Sequence, residues 1–206
     1  MNGELIREFR DKANEYDYCR NHYSNVDGKN KWNCICSAMD WITVAVSDIH
    51  FYPSLLPFGE CDETTIHVLN LFMRIAIIKE GIEQLHRVFM NTNEVYRNDE
   101  KNIWIDNPYA NTDNEYFETL RACFAAHPIN LKKINGCEKD ILWYASWPHT
   151  TKQADLAIIL GSNITGMEHI TINIKFSDLE KYAELRYQHL NDFISIIEKG
   201  IISSKP

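Results

Sequence analysis

The sequence predicts a mainly α-helical protein: an antiparallel bundle of four to five helices with a small antiparallel β-hairpin or sheet inserted before the last helix. Three observations carry this. Apolar residues recur at helical steps over long stretches before Gly136. After Gly136 the texture changes to short apolar or alternating runs that read as strands, about residues 141–176. A helical pattern then returns near the C-terminus. Long helices with short connections favour antiparallel neighbours. The 206 residues suffice for one sizeable core and are few for two. No repeat, low-complexity tract or Pro/Gly/Ser linker marks a boundary, so a single domain over 1–206 is expected.

Element by element, residues 4–24 place Leu5, Phe9, Ala13, Tyr16 and Cys19 or Arg20 at helical spacing. NVDGKNK (25–31) reads as a turn. Residues 33–49 are apolar nearly all round, the pattern of a helix buried at the centre of a bundle. Pro53 and Pro57 stop regular structure. Residues 62–90 form the longest helical pattern, with Asp62 as cap and Ile66, Leu69, Met73, Ala76, Ile82, Leu85 and Phe89 on its apolar face. Residues 91–113 are rich in Asn and Asp and hold Pro108; they read as a long surface loop with one short turn at Ile103–Ile105. A helix starts again near Asn114. ILWYASW (141–147) and ADLAIILG (154–161) read as strands. ITINIKF (170–176) alternates strictly, with Ile170, Ile172, Ile174 and Phe176 on one side. GSNITGMEH joins the last two strands as a hairpin. SDLE (177–180) is a capping box, Ser177 capping and Glu180 reaching back. The helix it opens runs to Lys199 and stops at Gly200, the usual position for a terminating glycine.

Composition narrows the function classes. The formal net charge of −8 argues against a broad electrostatic grip on nucleic acid, though not against a small cationic cleft on an acidic body. ICSAMDWITVAVSDI (35–49) is too short to span a bilayer and holds two aspartates, so no membrane association is expected. MNGELIREFRDK lacks a signal-peptide core, which points to the cytoplasm. Six cysteines in that setting read as reduced, partly buried thiols rather than a disulfide framework. Cys19-x2-His22 with Cys34-x-Cys36 is the one zinc candidate. Its spacing is poor, because Cys19 and His22 fall in a helical pattern rather than a turn, and no metal or cofactor is expected.

One stretch stands out: YFETLRACFAAHPINL (116–131). It looks like one buried helical face interrupted by Arg121 and His127, with Pro128 immediately after. Six steps on an ideal helix turn roughly 600°, which leaves the two side chains about 120° apart. Pro128 disfavours helical geometry at His127 and removes a backbone donor, so a helix end or kink is expected there.

Arg121-Ala-Cys-Phe-Ala-Ala-His127, near a helix end in an α-helical chain, resembles the HEPN superfamily. Its signature is an arginine, four to six residues, then a histidine. The flanking YFETLRACFAAHP is similar to the corresponding segment of stand-alone bacterial HEPN proteins. The resemblance implies a metal-independent endoribonuclease that dimerises so that two motifs share one cleft. His127 would act as general acid or base, and Arg121 would stabilise charge on the scissile phosphate. RNA supplies its own nucleophile in the 2′-hydroxyl, so proton transfer and phosphate stabilisation suffice. It further implies an RNA substrate, a homodimer, and a role as toxin or phage-defence effector, with an antitoxin or other protein as partner. Active members often carry a polar residue directly after the arginine. Here that position is Ala122, which removes one phosphate or base contact and brings forward the alternative of a catalytically silent module binding a protein or nucleotide partner.

Competing polar residues have plainer readings. Arg121 can pair with Glu118 or Glu115 on its own helix, and His127 can be a core histidine. His67 and Arg74 lie seven apart beside Asn70, and Arg186 and His189 lie three apart on the last helix. Asp40 and Asp48 can share a face of the apolar helix. His149 reads as a loop residue. Trp104, Trp143 and Trp147 are either stacking platforms for bases or packing residues. The β-hairpin offers a third reading, an edge that pairs with another chain.

Overall fold

The computed structural model describes residues 1–47, 49, 61–92, 101–131, 134, 141–149, 151 and 154–204. The chain is mainly helical with a small three-stranded antiparallel sheet. It divides into two compact units. One comprises Met1–Ile49, Arg74–Arg97 and Ala183–Pro206, the other His50–Met73 and Asn98–Tyr182. Each is assembled from separate stretches, which is why no linker composition marks the division. Among the described residues no helix is long and apolar enough to cross a membrane.

The first unit holds α1 (Glu4–Asn14), α2 (Tyr18–Tyr23), α3 (Trp32–Ser47), the second part of α4 (Cys61–Phe89) and α7 (Leu190–Ser203). Phe9, Phe89 and Phe193 meet at its core. The Phe89 and Phe193 rings stack 5.3 Å apart, and Phe9 meets Phe89 edge-on at 6.1 Å. The single helix expected over 4–24 is broken. Residues Glu15–Asp17 form a 3-10 turn, and Tyr16 and Asp17 both take left-handed φ values of 54° and 53°. No glycine or proline announces that break.

α3 buries Ile35, Ala38, Met39, Ile42, Ala45 and Val46, while Trp41 and Val44 on its other side are 57% and 55% exposed. The expectation of burial all round is therefore corrected: an apolar composition does not by itself supply a neighbour for the second face. Arg74 caps the C-terminal end of α3, its Nη1 donating to the carbonyls of Val44 and Ala45 at 3.0 and 3.2 Å. The α4 stripe also needs correction in its first half. Ile66 and Met73 are exposed, and Val68, Leu71, Phe72 and Ile75 are buried instead. Both sets satisfy helical spacing, so periodicity could not choose between them. Asp62 falls inside α4, which already starts at Cys61, so it is not the residue that caps the helix; Pro53, Pro57 and Gly136 lie outside the described residues.

The expected helix from 177 to 199 is two helices, α6 (Phe176–Tyr187) and α7, with a turn at Gln188 and His189. Gly200 does not end α7, which continues to Ser203. A Cβ at Gly200 would overlap the hydroxyl and ring carbons of Tyr18, so this glycine serves a close approach rather than a terminus.

The second unit contains α4 to Met73, α5 (Asp113–Arg121), the strands β1 (Trp143–Ala145), β2 (Leu156–Ser162) and β3 (Ile170–Ile174), and α6 to Tyr182. The sheet order is β1-β2-β3, with Trp143 opposite Ser162 and Leu156 opposite Ile174. Ile172 and Ile174 are buried as the alternation requires. The last member of that alternation, Phe176, belongs to α6. Helix α6 starts one residue before Ser177, and the predicted capping box is replaced: the Asp155 carboxylate accepts the Phe176 amide at 2.7 Å, and the Ser177 side chain is exposed. From residue 101 onward the predicted loop is anchored, because the buried Asp113 carboxylate accepts the amides of Asn102, Ile103 and Trp104. Trp104 is buried against Tyr116 and Tyr182, with ring centroids 5.1 and 5.3 Å away.

Candidate functional site

Helix α5 is built by strong local signals. Thr112 caps it, its side chain accepting the Glu115 amide at 3.1 Å, while the Glu115 carboxylate accepts the Asn111 amide at 2.9 Å. Asp113 and Glu115 sit in the first turn, where negative charge suits the positive end of the helix dipole. Tyr116, Phe117 and Leu120 face inward, followed by Cys123 and Phe124. Phe72 stacks on both Phe117 and Phe124, at 5.9 and 5.0 Å.

Arg121 lies at the C-terminal end of α5, half-exposed. Its Nε and Nη2 both lie 2.9 Å from Glu118 Oε2, so the guanidinium is held by a carboxylate one turn back on its own helix. The backbone then widens. Ala122–Ala126 form a π turn, closed by the His127 amide donating to the Ala122 carbonyl at 3.0 Å. His127 leaves the helix at φ −143° and ψ 46°. The chain beyond it is tied to the sheet: the Pro128 carbonyl accepts the Ala145 amide at 2.7 Å, and Leu131 pairs with Trp143. The path of His127 is thus fixed from both sides. Its side chain is exposed, not in the core, and its ring makes no hydrogen bond or ion pair among the described residues. No hydrogen bond joins Arg121 to His127 within one chain.

Chemically, the segment offers a solvent-facing imidazole and a guanidinium already shared with a carboxylate. Burial pushes the neighbouring Cys123 thiol up to about 12, so it stays protonated at neutral pH and is no nucleophile.

The other polar residues find mostly structural places. Arg74 caps α3. Arg186 is buried, and the α6–α7 turn separates it from His189, whose Nδ1 lies 2.9 Å from Asp192 Oδ2 at the start of α7. The two therefore do not share one helix as predicted. Asp40 pairs with Arg10 at 3.0 Å, and Asp48 lies outside the described residues. His149 is not a plain loop residue: its backbone pairs with Ala157 in both directions. Trp104 and Trp143 are buried, leaving Trp147 exposed. Cys19 is buried with its thiol likewise pushed up to about 12, and the His22 ring stacks on Tyr18. Among the described residues no three His, Cys, Asp or Glu side chains converge where a metal could sit. No protein-family model, curated protein or solved structure matches this chain.

Proposed function

We propose that the chain is a metal-independent endoribonuclease of HEPN type, a helical-bundle protein with an inserted sheet, working as a cytoplasmic homodimer on RNA. The observation that carries the reading is His127: an exposed imidazole with no partner among the described residues, fixed at the end of a π turn six residues after Arg121. In the proposed reaction His127 takes the 2′-hydroxyl proton or protonates the 5′-oxygen that leaves. Arg121 stabilises the charge that builds on the phosphate, moving away from Glu118 or sharing its donors. The biological setting that goes with this reading is a toxin or phage-defence effector, with an antitoxin as possible protein partner.

A second reading has its own support. The Arg121–Glu118 pair and Ala122 both weaken a phosphate site, and they favour a silent module that keeps the fold and binds a protein or nucleotide partner. The test is incubation of the purified protein with total RNA in EDTA. Cleavage that survives EDTA and falls by about 10²–10⁴-fold in His127→Ala, with a comparable loss in Arg121→Ala, supports the nuclease. Cleavage indifferent to both substitutions removes the assigned site, and dimerisation without cleavage of any RNA favours the silent module.

A further inference from the structure

The break between α1 and α2 opens a cleft of about 520 Å³ lined by Tyr16, Tyr18, Asn21, His22, Ile201 and Ser204. That volume lies within the range of small-molecule sites, about 300–1,000 Å³. The backbone at its rim is unusual. Tyr16 and Asp17 hold consecutive left-handed conformations without glycine, and the Tyr16 side chain is 72% exposed, so burial of the ring does not repay the strain. Behind the rim the aromatic groups are fixed. Tyr18 fits against Gly200, where no Cβ obstructs it. His22 stacks on Tyr18 with centroids 5.5 Å apart and meets Tyr23 edge-on at 4.7 Å. Its ring is thereby oriented by packing, while its nitrogens have no hydrogen-bond partner among the described residues. The Asn21 side-chain amide likewise has no hydrogen-bond partner among the described residues. The Ser204 hydroxyl donates to the Gly200 carbonyl and keeps its lone pairs as acceptors.

We propose that this cleft binds an uncharged planar heteroaromatic ring of the nucleobase class, as the free base or nucleoside. Tyrosine offers a stacking face that every base can use. The Asn21 amide presents a donor and an acceptor side by side, the pattern that pairs with an adjacent donor and acceptor on a base edge. An indole or phenol offers no such pair. Among the described residues no Lys, Arg, Asp or Glu lines the cleft, so these residues offer no grip on a phosphate or on the charges of an amino acid. The assignment is independent of the ribonuclease reading.

Titration of the full chain with adenosine, guanosine, cytidine, uridine and AMP, followed by calorimetry, tests it. Saturable one-to-one binding of at least one nucleoside is expected, with AMP no tighter than adenosine. Asn21→Ala and His22→Ala should each weaken binding by about tenfold, the loss of one paired contact, with thermal melting unchanged in Asn21→Ala because that side chain is exposed. Absence of saturable binding by every nucleoside at millimolar concentration overturns the proposal. So does binding that neither substitution alters, or AMP binding tighter than adenosine.

Discussion

Replacing Gly200 by alanine should destabilise the protein, against the ordinary rule for helices. Inside a helix, alanine is favoured over glycine by about 1 kcal/mol. At Gly200 the new methyl group would overlap the Tyr18 hydroxyl, Cζ and Cε1. Tyr18 has little room to retreat, because its ring stacks on His22 and the residue before it is the left-handed Asp17. Overpacking of this kind costs about 1–3 kcal/mol, which offsets or outweighs the propensity gain and leaves a net loss of up to about 2 kcal/mol. For a chain of this length each kcal/mol lowers the melting temperature by about 2–4 °C. In a Tyr18→Ala background the obstruction is gone, and the same glycine replacement should stabilise by about 1 kcal/mol. The double-mutant cycle, measured by urea unfolding, should therefore show a coupling of about 1–3 kcal/mol. If Gly200→Ala stabilises the wild-type chain as much as it stabilises Tyr18→Ala, the close approach of Tyr18 is not what selects this glycine.

Three further outcomes are expected. Asp113→Ala removes the acceptor for three loop amides and should cost about 2–3 kcal/mol while exposing residues 101–112 to protease; an intact loop under limited proteolysis would contradict this. Cys19 and Cys123, raised by burial from 9.0 to about 12, should resist iodoacetamide at pH 8 until the chain unfolds, read site by site by mass spectrometry. Because their folded values are raised, the stability they contribute is complete below pH 9 and lost as the pH climbs towards 12. Glu118→Gln removes the anion that holds Arg121 and should tighten RNA binding if that guanidinium meets phosphate; unchanged affinity would show that Glu118 does not compete there.

The sheet was the most legible part of the chain. Ile170, Ile172 and Ile174 alternate with polar residues over one half-buried strand, and a period of two has no helical counterpart. Helix existence was equally legible, but helix continuity was not. The turns at Tyr16–Asp17 and Gln188–His189 contain neither glycine nor proline, so nothing local in the sequence marks where the helix breaks. Gly200 misled in the opposite sense. A glycine near the end of a helical pattern resembles a stop, yet its value here lies in Tyr18, at the other end of the chain.

At the candidate site the visible sequence signal was Pro128, and the decisive geometry lies before it. The departure from α-helix begins at Ala122, where the ladder lengthens to a five-residue step, and nothing in ACFAA announces a π turn. The consequence for the proposed chemistry is specific. Within one chain Arg121 is engaged by Glu118, and the exposed His127 ring has no partner among the described residues, so no hydrogen bond closes the two into a pair. If they act together, we propose that a second copy of the chain brings them to one phosphate. Cleavage per protomer should then fall on dilution as the dimer dissociates. A mixture of Arg121→Ala and His127→Ala chains should recover activity only if one site draws its arginine and histidine from different protomers. Recovery in the mixture, measured against each variant alone, separates a shared cleft from two independent ones.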